Sequence, residues 1–85
     1  MINTNRQIYL IKDLSVLTGL SIHTIKYYLK LGLLKETGRT PKSNFRYFDN
    51  LTLKTLSFIR EERIKGNSLN SIKTELSKEK NLFSA

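Results

Sequence analysis

Within TGLSIHTIKYYLKLGLL, residues 18–34, four side chains able to bind fall at helical spacing: His23, Lys26, Tyr27 and Lys30, at i, i+3, i+4 and i+7. On a helix they share one face and present two ammonium groups, an imidazole and a phenol. Lysine donates to phosphate or to guanine O6 and N7, the tyrosine hydroxyl donates to phosphate, and the imidazole can do either. A merely solvated basic face has the same composition, so the neighbouring elements must decide between the two. Covalent chemistry is not on offer. No nucleophile is set beside a base and no glycine-rich phosphate loop occurs, so no enzyme is expected. The chain has no Cys and one His, which leaves no usual zinc or iron ligand set, and no cofactor is expected.

The elements that must position this face follow from punctuation. Ile8-Tyr9-Leu10-Ile11 is a short β-prone run. Leu14 and Leu17, three apart, predict a brief helix with Asp13 in its first turn, where a carboxylate complements the dipole. Thr18-Gly19 ends it. Ser21 caps a second helix over residues 22–31, which stops at Gly32. Its apolar side is Ile22, Ile25 and Leu29, with Tyr28 at the edge, expected to pack on the first helix.

Residues 35–47, KETGRTPKSNFRY, hold the only Pro and several turn formers, and predict a hairpin tip between two short strands. Arg39 and Lys42 flank Thr40-Pro41, where proline stiffens the tip. Phe45 and Phe48 are expected in the core. Asp49 or Asn50 caps a third helix at about 51–65 with Leu53, Leu56 and Ile59 inward, and Gly66 ends it. Ser68 caps a fourth with Leu69, Ile72 and Leu76 inward. Arg60, Arg63 and Lys65 interleave with Glu61 and Glu62 as a solvated face. The order is helix, tight turn, helix, basic hairpin, helix, helix. A tight glycine turn between two helices is the mark of a helix-turn-helix, and a basic hairpin directly after it fits a wing.

Charge points the same way. Fifteen Lys and Arg against seven Asp and Glu give a net charge of +8, which attracts polyanions. Residues 20–48 hold six of those cations against the single acid Glu36, a net of +5, whereas residues 49–85 hold seven against five, a net of +2. Eighty-five residues make one small domain, hiding roughly 60–65% of the unfolded surface. No apolar run approaches the length of a span, and MINTNRQIYL has no signal-peptide core, so a soluble cytoplasmic protein is expected, with no membrane partner.

TGLSIHTIKYYLKLGLL, followed by FRYFDNLTLKTLSFIREERIKGNSLNSIKTEL, resembles the DNA-binding domain of the MerR family of bacterial regulators. The family pattern is a Thr-Gly-hydrophobic-Ser turn, Thr-Ile-Arg-Tyr-Tyr, Gly-Leu-Leu or Gly-Leu-Ile, a Tyr-Arg-x-Tyr-Asp wing strand and a Gly-x-Ser-Leu-x-x-Ile-Lys segment. The likeness covers residues 8–76. It implies a mostly α winged helix-turn-helix with four helices and a small hairpin wing, the second helix entering the major groove of double-stranded DNA. Carried over by position, Ser21, Thr24, Lys26 and Tyr27 fall on the head of the recognition helix. Arg46 is the wing arginine, and Ser68 caps a helix whose N–H groups can meet a phosphate. His23 stands where Arg is common, Lys26 replaces the usual Arg, Leu29 a common Glu, and Phe45 a Tyr. Lysine lacks the guanidinium fork, which weakens base discrimination.

The expected organisation is a polar N-terminus at 1–7, a domain at 8–76 and a polar tail at 77–85. The DNA-facing set is Ser21, His23, Thr24, Lys26, Tyr27, Lys30, Arg39, Lys42, Arg46 and Ser68. The usual C-terminal dimerisation helix and effector domain of the family do not follow Leu76, whether because the chain is a piece of a longer protein or a minimal binder. Promoter regulation leads. DNA segregation by coating repeated sites, direction of excision, and a protein-interaction use of the same fold stand beside it. Self-association, as a dimer or side by side on DNA, is expected in the first three.

Overall fold

A computed structural model of the chain describes residues 8–78. The expectations for residues 1–7 and for Leu82-Phe83 lie outside the described residues. Four helices and one hairpin follow in order: α1 (Ile11–Thr18), α2 (Ile22–Leu31), β1 (Gly38–Arg39), β2 (Arg46–Tyr47), α3 (Asn50–Ile64) and α4 (Leu69–Lys78). The mostly helical winged architecture expected from the sequence is the one found, with differences in detail.

The β-prone run at 8–11 contributes one bridge rather than a strand. Tyr9 and Phe48 exchange both backbone hydrogen bonds at 2.8 Å, and Ile11 already belongs to α1. The Asp13 carboxylate reaches back to accept the Leu10 N–H at 2.8 Å, satisfying a donor that the first turn leaves open. Leu17 does not face inward. The buried stripe runs through Leu14 and Thr18, with Ile11 half-buried, and leaves Leu17 57% exposed.

Two hydroxyls of α1 stitch the turn that follows. Thr18 donates to the Leu14 carbonyl at 2.7 Å and accepts from the Leu20 N–H at 3.2 Å, while Ser15 donates to the Leu20 carbonyl at 2.6 Å. Gly19 supplies the left-handed residue, at φ 79°, that lets the chain reverse. Ser21 then caps α2 by accepting the Thr24 N–H at 3.0 Å. The direction of α2 relative to α1 is therefore set by side-chain hydrogen bonds as well as by packing.

The inward stripe of α2 is turned from the expected one. Ile25 and Tyr28 are buried, Leu29 is half-buried, and Ile22 in the first turn stays exposed. Tyr28 is thus a core residue rather than an edge one. The core joins Leu14, Ile25 and Tyr28 to Leu33, Leu34, Phe48, Leu56, Ile59 and Ile72, so every helix and both ends of the hairpin contribute. Phe48 has no exposed surface, and burying such a ring contributes roughly 1.5–3 kcal/mol.

Asp49 caps α3 by accepting from Leu51 and Thr52, which places the helix at Asn50–Ile64 rather than 51–65. Thr52 and Thr55 are buried along with Leu56 and Ile59, and Leu53 is only half-buried. Ser68 caps α4 through the Ser71 N–H at 3.1 Å. This helix continues past Leu76 to Lys78.

Candidate nucleic-acid interface

With Ile25 and Tyr28 anchored in the core, the opposite side of α2 has one orientation open to it. His23, Lys26, Tyr27 and Lys30 are all exposed there, and Lys30 in the last turn complements the helix dipole. Thr24, half-buried, is tied to Ser21 twice, by its N–H and by a hydroxyl pair at 2.9 Å. These two residues form the cap that orients the helix head.

The hairpin stands beside this face. Its two strands pair antiparallel, Gly38 opposite Tyr47 and Arg39 opposite Arg46. The tip is organised by Thr40. Its N–H reaches the Phe45 carbonyl, its hydroxyl accepts the Phe45 N–H at 2.9 Å, and the same oxygen meets Ser43 at 2.6 Å. Asn44 takes φ 59°, a left-handed position that asparagine tolerates better than most residues. Lys42 lies in the exposed turn. Phe45 is not a core residue: it closes the turn just before β2 and is 59% exposed.

Two shallow grooves run between α2 and the hairpin, and Lys26 lines both. One groove brings Lys26 and Lys30 together with Lys35, Glu36 and Arg46. The other brings Lys26 to Arg39, Arg46 and Phe45, with Lys12 from the start of α1. Six cations and one acid therefore line a continuous surface. Lys12 was not singled out in the sequence, because only the fold sets the start of α1 beside the hairpin. His23, Tyr27 and Lys42 are exposed outside these grooves, and Ser68 lines neither.

Arg39 and Arg46 share a partner that their spacing did not announce. Glu36 accepts the Arg39 Nε at 3.0 Å on one carboxylate oxygen and the Arg46 Nε at 2.9 Å on the other. The hydrogen bond from Arg39, with its charge and the smaller contributions of Arg46, holds the Glu36 carboxyl below the usual glutamate value. The clasp is therefore present at neutral pH and is lost as pH falls through that depressed value.

Among the described residues no three His, Cys, Asp or Glu side chains gather as a metal site would require. No helix among them is long and apolar enough to cross a membrane.

The chain is similar in sequence and fold to known proteins. The family model for MerR helix-turn-helix regulatory proteins matches residues 9–79. The HTH-type transcriptional regulator CueR of Bacillus subtilis strain 168 is 40% identical over 68 residues, which are 80% of this chain and 46% of that protein. A MerR family transcriptional regulator from Bacillus cereus superposes with a TM-score of 0.77 at 24% identity, over 82% of this chain and 52% of the other. HiNmlR, a MerR family regulator lacking the sensor domain and bound to promoter DNA, superposes with a TM-score of 0.75 at 28% identity, over 93% and 58%. The chain thus spans about half the length of the proteins it matches.

Proposed function

The chain belongs to the MerR family of helix-turn-helix regulatory proteins, and from that premise we propose that it binds double-stranded DNA as the reading module of a transcriptional regulator. α2 enters the major groove with His23, Lys26, Tyr27 and Lys30 toward base edges and phosphates. The hairpin lies on the flanking backbone through Arg39, Lys42 and Arg46. The α2 cap, Ser21 and Thr24, and the α4 cap, Ser68, meet phosphates with their N–H groups or hydroxyls.

The observation that carries this reading is the continuity of the cationic surface across three elements, with Lys26 at the junction of its two grooves. A face that was only solvated would have no reason to align with the hairpin. The likeness to a regulator bound to promoter DNA supports DNA as the partner. Segregation and excision, which the sequence left beside regulation, gain nothing from these likenesses, all of them to regulators.

One such module covers a short site and binds it modestly, so occupancy calls for two or more copies, as a dimer or side by side. Selection of bound duplexes from a random pool, followed by salt titration of the winners, tests the proposal. Neutralising some four to seven phosphates predicts a log–log salt slope of about −4 to −6 and an enriched motif. A slope near zero, or no enrichment, would refute it.

A further inference from the structure

We propose that Glu36 occupies, in the free protein, the position a DNA phosphate takes between Arg39 and Arg46, and so limits the attraction of the wing for the backbone. The inference rests on the DNA-binding reading above.

The hairpin register sets Arg39 and Arg46 directly opposite one another, where like charges oppose pairing. Glu36 relieves that repulsion by accepting from both guanidinium groups: Arg39 donates from Nε to one carboxylate oxygen at 3.0 Å and from Nη2 to the other at 3.4 Å, where Arg46 Nε also donates at 2.9 Å. A phosphate is the same kind of ligand: an oxyanion with two accessible oxygens, matched to guanidinium donors. Carboxylate and phosphate therefore compete for one pair of arginines. Glu36 is also the single acid in residues 20–48 and lines a groove with Lys26, Lys30 and Lys35. With Glu36 among them the three charged groups sum to one positive charge, against two for the arginines alone.

The same contact thus serves two ends that oppose each other. Without DNA it steadies a hairpin of only two residues per strand. With DNA it must give way, and its own charge faces the backbone.

Glu36→Gln keeps the shape and removes the charge. It is expected to bind a mixed-sequence DNA duplex about twofold to fivefold more tightly, the range of one exposed ion pair. The salt slope should steepen by up to about 0.9, with no change in sequence preference. Glu61→Gln makes the same change in net charge toward the far end of α3, eleven residues along the helix from its start at Asn50 and on neither groove beside the hairpin; it should leave binding unchanged. Equal or weaker binding by Glu36→Gln, or an equal gain from Glu61→Gln, overturns the proposal.

A second measurement needs no variant. The Arg39 and Arg46 Nε–H resonances of the unmodified chain should shift as the duplex is added, and resonances that stay fixed overturn the exchange. If the unmodified chain shows no salt-dependent binding to the duplex, the DNA-binding reading falls and this proposal with it. If it binds with the expected slope and only the Glu36 arm fails, this proposal alone is wrong.

Discussion

In the proposed binding mode Lys26 is the residue placed to select bases. It projects from the first half of α2, away from the buried Ile25 and Tyr28, and it lines both grooves beside the hairpin. Lys26→Ala is expected to weaken binding and to relax preference at one or two base pairs, by roughly 1–3 kcal/mol. Competition between the selected duplex and its single-base variants reads this directly; an equal loss on every duplex would assign Lys26 to the backbone instead. Arg39, by contrast, lies on the hairpin with a carboxylate already in its grasp, and its role in the proposal is sequence-blind. The exposed face of α2 was legible in the sequence, because spacing of three and four residues settles which side chains share a side. Glu36 was not. It read as one acid among four bases, since a clasp between residues 36, 39 and 46 exists only once the strands are in register.

At the scale of elements, the hairpin is the part most open to perturbation, with two residues in each strand. The Tyr47 ring lies across Gly38, where the absent side chain leaves it room: a methyl there would stand 2.5 Å from the Tyr47 hydroxyl and 2.7 Å from Cζ. Gly38→Ala must push the ring off its seat. The expected cost is about 1 kcal/mol, a fall in Tm of roughly 4–8 °C for a domain of this size. Thermal unfolding checks it, and an unchanged Tm would mean that the ring is not seated there.

The limits of α2 were legible because Ser21 and Gly32 are strong local signals that need no tertiary help. Inward faces were less so. Leu17, Ile22 and Phe45 are apolar yet exposed, while Thr18, Thr52 and Thr55 are polar yet buried. The hydroxyls of Thr18 and Thr55 are satisfied by carbonyls of their own helices, which removes the usual cost of burying them. Composition cannot reveal that exchange. The stitching of the α1–α2 turn by Ser15 and Thr18 is equally hidden in the sequence, since such hydroxyls are as often solvated.

For the whole molecule, the unevenness of charge noted along the chain becomes a surface. Five of the six cations of residues 20–48, all but Lys42, converge with Lys12 on the side where α2 meets the hairpin. The later helices hold a nearly balanced set, with Lys65 paired to Glu62 and Arg63 donating to the Asn67 carbonyl. One side thus attracts a polyanion and the other is largely neutralised within itself. In the proposed mode DNA lies against the first of these sides. Amide chemical shifts recorded while a selected duplex is added to the isotopically labelled chain test it most directly. The largest changes should fall on residues 21–30 and 36–46, with residues 60–65 of α3 scarcely moved. Changes concentrated on the exposed Val16, Leu17 and Ile64, with α2 and the hairpin unmoved, would contradict it.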